Sequence, residues 1–115
     1  VTTPYRIGRD VEDRVVKDAF AHGCIAQRGP GSKGFADVIV FAPGPLRGWA
    51  VNVKRGSWPG PDERRDFVLV ADYGLVPLLV RADLTTSRTL LWQWRILDSS
   101  GGMSPLVRAP WDPGT

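Results

Sequence analysis

GSKGFADVIVFAPGPLRGWAVNVKRG, residues 31–56, decides the fold. Two apolar runs, Ala36 to Phe41 and Trp49 to Lys54, have the length of strands, and the turn between them (Pro43, Gly44, Pro45, Gly48) can continue neither. Both runs are apolar at odd and even positions alike, the pattern of strands covered on both faces. Three polar residues interrupt it. Side-chain alternation puts Asp37 on the face of Ile39 and Phe41, and Asn52 and Lys54 on the face of Ala50. A carboxylate or ammonium buried in a central strand is costly unless a partner, a metal or exposure at the strand end offsets it. Neighbouring hairpin strands that carry Asp and then Asn-x-Lys are expected to supply such partners to one another.

Upstream, Gly29 to Gly34 (GPGSKG) reads as a flexible loop that follows a short strand, Cys24 to Arg28. Its backbone N–H groups can hold a phosphate. It lacks the spacing of a P-loop, so no nucleotide cofactor is expected. From Gly8 to His22 the spacing is helical: Val11, Val15, Val16, Ala19 and Phe20 cover one arc, and Asp10, Asp13, Arg14, Lys17 and Asp18 the other. Glu12 falls in the middle of the apolar arc. A Glu aimed at the core needs a reason, either a first-turn charge favoured by the helix dipole or a functional carboxylate. Gly23 suits the residue just past the helix end.

Downstream, Arg55 to Gly60 (RGSWPG) is a loop and Pro61 to Tyr73 a second helix, with Asp62 and Glu63 at its positive end and Gly74 beyond its last turn. Phe67, Val70 and Ala71 form its core stripe, and Val68 and Leu69 add apolar surface beyond it. Val76 to Ala82 and Thr89 to Leu97 read as two more strands, the second with Trp92, Trp94 and Ile96 on one face and Gln93 and Arg95 on the other. Alternate Trp residues on a strand can stack on bases, but core packing is the expected use. From Asp98 the chain is rich in Gly, Ser and Pro and is expected to be a mobile tail pinned by Trp111.

At 115 residues the chain holds one core, so residues 1–97 are read as a single domain and 98–115 as its tail. No apolar run approaches bilayer length and the N-terminus lacks a secretory layout; a soluble, cytoplasmic protein without a membrane partner is expected, in a host cytoplasm if the source is viral. One Cys excludes an internal disulfide, and with one His it leaves no His/Cys metal centre within a chain. Cys24 and His22 could form a nucleophilic pair, but no acid is placed to orient it, and the thiol reads as structural. The net charge of +3 and pI near 9.5 suit a polyanionic partner. Arg28, Lys33, Lys54 and Arg55 concentrate that charge around the hairpin.

Glu12 from the first helix, Asp37 from the second strand and Asn52 and Lys54 from the third can converge at one end of a mixed sheet. Carboxylates so arranged suit Mg²⁺, with Mn²⁺ as a substitute. The metal would polarise a phosphodiester and activate a water, and Lys54 would orient that water or stabilise the developing charge.

These residues resemble the PD-(D/E)xK nucleases, and among them the small archaeal-type Holliday junction resolvases also found in viruses and phages. The resemblance runs from Gly8 to about Leu97. It rests on Gly8-Arg9 with Glu12, on Arg28 before a Gly-Ser loop, on Gly31-Ser32 ahead of Asp37, and on Val51-Asn52-Val53-Lys54. It implies an α/β fold with a restriction-endonuclease-like αβββαβ core and a central mixed sheet flanked by helices. It further implies Mg²⁺-dependent cleavage of branched DNA, probed best by a four-way junction, and a homodimer whose two sites cut opposite strands. Glu12 and Asp37 would be metal ligands and Lys54 the catalytic lysine. Arg9, Arg28 and Ser32 match positions that contact DNA or assist catalysis, and Lys33 and Arg55 would sit close to phosphates. The family has an acid where this chain has Asn52, whose amide oxygen can ligate Mg²⁺ without charge. The alternative is therefore a DNA-binding module of the same fold with weakened or lost catalysis.

Overall fold

The computed structural model describes residues 4–29, 35–44, 47–54, 56–84 and 90–113, with side chains from Asp10 onward except at 83, 84, 90 and 91. Helix α1 (Pro4–Ala21) leads into strands β1 (Ile25–Arg28), β2 (Val38–Ala42) and β3 (Arg47–Lys54). Helix α2 (Pro61–Phe67) runs on as a 3-10 helix (Val68–Tyr73), followed by β4 (Leu75–Leu84), β5 (Leu90–Leu97) and β6 (Met103–Leu106). The strands form one sheet in chain order. β3 and β4 pair in parallel and the other neighbours antiparallel, because only the β3–β4 connection contains a helix long enough to return the chain to the same end. The fold is thus α/β with a mixed sheet, and its first six helices and strands follow the order αβββαβ.

Each face of the sheet carries its own core. Val15 and Ala19 of α1 pack on Val38, Val40, Trp49, Val51, Leu78, Val80 and Trp94. On the opposite face Phe67 and Val70 pack on Ala50, Leu79 and Leu97. Strand parity explains the division, since Val38, Val40 and Val51 point one way and Ile39, Ala50 and Asn52 the other. The continuous apolar pattern of residues 36–41 and 49–54 is that of a doubly covered pair. Cover is incomplete at the β1 edge, where Ile25 and Phe41 are exposed, and Phe20 at the end of α1 is exposed too.

Strand ends shift by one or two residues, so that β2 starts at Val38 and Asp37 precedes it, and three larger differences from expectation concern the helices and the tail. α1 begins at Pro4 rather than Gly8, Pro being compatible with a first helical turn. The second helix tightens to 3-10 geometry from Val68, which keeps Phe67 and Val70, three residues apart, on the sheet and leaves Ala71 exposed. The third difference is the tail. Residues from 98 onward are expected to be mobile, yet Met103–Leu106 pairs with β5, and Ala109 and Trp111 lie in the α1-side core. Asp98 makes this possible by accepting hydrogen bonds from the Ser100 hydroxyl (2.6 Å) and from the Ser100 and Gly102 N–H groups (2.9 Å each), which close the turn into β6 and lower its pKa. The Trp111 indole N–H donates to Asp18 Oδ2 at 2.9 Å, and its ring meets Trp49 and Trp94 edge to face. Cys24 is buried here, and burial pushes its thiol pKa up, which suits the structural reading and not a nucleophile.

Gly29 holds the mouth of the loop before Asp37. Its N–H donates to the Asp37 carbonyl at 2.8 Å, and a Cβ there would lie 2.1 Å from the Ala36 carbonyl oxygen. Gly29→Ala is accordingly expected to lose about 1–3 kcal/mol of stability in urea unfolding, the usual cost of overpacking. Unchanged stability would show that this close approach is not maintained in solution.

Candidate active site

Asp37 lies one residue before β2 and is held by β3 through two hydrogen bonds. Its N–H donates to the Val51 carbonyl (2.9 Å), and its Oδ2 accepts from the Val53 N–H (2.7 Å). The carboxylate is thereby fixed beside the next residue, Lys54, on the α2 face. Lys54 Nζ forms a hydrogen-bonded ion pair with Glu63 Oε1 in the first turn of α2. Burial raises the Asp37 pKa above the ordinary carboxyl value; the Val53 N–H and the Lys54 charge oppose the rise, and Glu63 adds to it. Asp37, Lys54 and Glu63 therefore form one electrostatic unit.

A cleft of about 680 Å³ opens beside it, lined by the polar Asn52, Glu63 and Asp66 and by apolar side chains that include Phe35, Phe67, Leu69 and Tyr73. Along the sheet end, Lys54 is in register with Arg81 of β4. Arg81 Nη1 donates to the Gly56 carbonyl at 2.8 Å, and Trp58 lies against both the Arg81 and the Arg95 guanidinium groups, 5.3 Å and 4.5 Å from the ring centre. Residues 56–60 are thus held against the sheet by the Arg81–Gly56 hydrogen bond and by cation–π contacts at Trp58. Arg64 secures α2, donating to the Pro59 and Gly101 carbonyls at 2.7 and 2.9 Å.

Comparison with protein-family models, with curated proteins and with solved structures finds no match. What the site can do is accordingly argued from its own groups.

Of the residues singled out in the sequence, Asp37, Asn52 and Lys54 come together on the α2 face. Arg28 does not join them: it points to the α1 face and pairs with Asp13 at 3.4 Å. Glu12, half-buried and adjacent to the Asp13 that pairs with Arg28, belongs to the α1 layer, across the sheet from the face that carries Asn52 and Lys54. Ser32, Lys33 and Arg55 lie outside the described residues, as does the side chain of Arg9. Among the described residues no group of three or more His, Cys, Asp or Glu gathers closely enough to hold a metal ion.

Sequence reasoning missed Glu63 and Arg81. Glu63 was legible only as an acid at a helix N-terminus, but the six-residue connection from Lys54 to Pro61 was a usable signal, because it keeps the first turn of α2 near the end of β3. Arg81 had no local signal, since the register of a parallel pair is set by the crossover and not by the strand itself.

Proposed function

We propose that this protein is a metal-dependent endonuclease that hydrolyses phosphodiester bonds of branched DNA, with a four-way junction as its natural probe. The observation that carries the reading is the half-buried Asp37, fixed by the Val53 N–H beside Lys54 and raised in pKa by partial burial and by Glu63. A structural carboxylate so placed would gain nothing from a second carboxylate nearby, whereas a cation between them offsets both terms. Carboxylate oxygens of Asp37 and Glu63 and the amide oxygen of Asn52 are donors of the kind Mg²⁺ takes, so the chemistry of the residues fits the ion. Glu12, from the other layer, has the weakest claim of the four. When bound, Mg²⁺ would polarise the phosphodiester and lower the pKa of an attacking water.

The chain's own groups do the rest. The Val53 N–H orients Asp37, and Lys54 is aimed at the same point with its charge held in place by Glu63. A partly exposed ion pair of this kind is worth only about 0–1 kcal/mol, so an incoming phosphate can take over Lys54 at little cost, and the ammonium then stabilises the charge that develops on the phosphoryl oxygens. Arg81 extends positive charge along the sheet end for neighbouring phosphates. Glu63 also bears on the alternative of an inactive DNA-binding module, because it brings to Lys54 the charge that Asn52 lacks and so favours activity. Incubating an end-labelled four-way junction with the protein and Mg²⁺ or Mn²⁺ tests the reading: paired incisions are expected, and an intact junction under both metals, with binding retained, would leave the inactive module.

Two-fold symmetric incision calls for a C2 dimer. Val68 of the expected apolar surplus is half-buried against its own core, which leaves Leu69 (58% exposed), with Phe35 and Tyr73 nearby, as the patch for a second copy. Sedimentation at micromolar concentration is expected to give a dimer that Leu69→Glu converts to monomer; a monomeric wild type, with and without junction, would refute this part.

A further inference from the structure

On the face of the sheet away from Asp37, α1 and the C-terminal segment leave a groove of about 520 Å³ beside β5. Trp92 and Trp94 line it with their rings nearly parallel, 10° between planes and 5.9 Å between centres. Trp94 is core, clamped by Trp111, but Trp92 is only half-buried and presents part of its indole to the groove. Arg14 and Lys17, one turn apart on α1, and Arg108 from the C-terminal segment stand around it, all exposed and none in an ion pair with a described residue. Asp18 and Asp112 also line the groove. Both are engaged: Asp18 accepts the Trp111 N–H, and His22 lies 3.6 Å from each of them. Three cations thus surround a flat aromatic surface, and the two acids in the lining face Trp111 and His22.

We infer that this groove binds single-stranded nucleic acid, with a base stacked on Trp92 and phosphates paired with Arg14, Lys17 and Arg108. A flat apolar surface ringed by cations matches a ligand that alternates flat rings with phosphates. A duplex keeps its bases stacked on one another and leaves Trp92 unused, and an acidic peptide supplies charge without the ring. The inference is independent of the nuclease reading, since the groove and Asp37 lie on opposite faces of the sheet.

Fluorescence anisotropy of a labelled ten-nucleotide oligo-dT, in EDTA at low salt, tests it. Arg14→Ala/Lys17→Ala, at two exposed positions, is expected to weaken binding at least about fivefold and to flatten the dependence of log K on log salt by about 1.4, the value for two lost single-strand phosphate contacts. Trp92→Leu is expected to weaken binding about fivefold or more and to remove the tryptophan quenching that accompanies it. Three results would each overturn the inference: the same affinity and salt slope in the Arg14/Lys17 variant, loss of binding in Lys54→Ala instead, or displacement of the oligonucleotide by poly-glutamate as readily as by unlabelled oligo-dT.

Discussion

Asp37→Asn is expected to abolish junction cleavage and, in the absence of metal, to make the protein more stable at pH 7. The variant keeps an oxygen to accept the Val53 N–H and removes the charge, so the hairpin geometry survives. The stability gain follows from linkage. The Asp37 pKa is raised in the folded protein, so the carboxyl favours the fold when protonated, below its unfolded value, and that contribution is lost as pH rises through the folded value. At pH 7 the wild type therefore holds an ionised carboxylate at a net cost that the amide avoids. Thermal melts in EDTA should show the variant higher by a few degrees, on the scale of roughly 4 °C per kcal/mol for a domain of this size. The difference should shrink as pH falls through the folded pKa and disappear below about pH 4. Adding Mg²⁺ should raise the Tm of the wild type and leave the variant where it was, because only a ligand bound to the native state shifts the melt. Lys54→Ala should lower cleavage by roughly 100- to 1,000-fold, the range for losing one group that stabilises transition-state charge, while junction binding through the remaining cations persists. Cleavage at the wild-type rate in Asp37→Asn would end the assignment.

The second large effect concerns the missing acid. Asn52 lends the cleft a neutral oxygen, and Glu63 lines the same cleft with a full charge that is shared with Lys54. Asn52→Asp is expected to lower the Mg²⁺ concentration for half-maximal cleavage at least about tenfold, and Glu63→Gln to raise it by a similar factor. A unit charge about 4 Å from the metal is worth several times the roughly 1.4 kcal/mol this requires, even at the effective dielectric of a protein surface. Asn52→Glu should act in the same direction as Asn52→Asp. Mn²⁺, more tolerant of neutral ligands, should narrow the gap between wild type and Asn52→Asp. Titration calorimetry of the metal alone should show the same order without any substrate, which separates metal affinity from the loss of the Lys54 partner in Glu63→Gln. Superimposable titrations for all of these proteins would place neither residue near a metal.

The sequence by itself determined the elements and the faces of their side chains. The period of residues 11–19 makes α1, alternation in residues 36–54 makes the hairpin and puts Asp37 with Ile39 and Asn52 and Lys54 with Ala50, faces that the Ile39–Ala50 register then joins, and Gly23 and Gly74 mark helix ends with φ of 82° and 83°. These depend on neighbours within a turn or a hairpin, where the chain's own geometry leaves few choices. Tertiary structure alone decided four other matters. It brought β4 parallel to β3 so that Arg81 stands beside Lys54, and it made β6 and Trp111 part of the core in spite of a Gly/Ser/Pro-rich composition. It also turned Glu63 from a helix-end acid into the partner of Lys54, and it buried Trp94 while leaving Trp92 half open. In each case the deciding contact joins residues whose approach is set by how layers pack and not by local propensity: 9 positions apart for Lys54 and Glu63, and 93 apart for Asp18 and Trp111. A one-dimensional pattern shows which face a side chain takes; only the packed layers decide what it meets there.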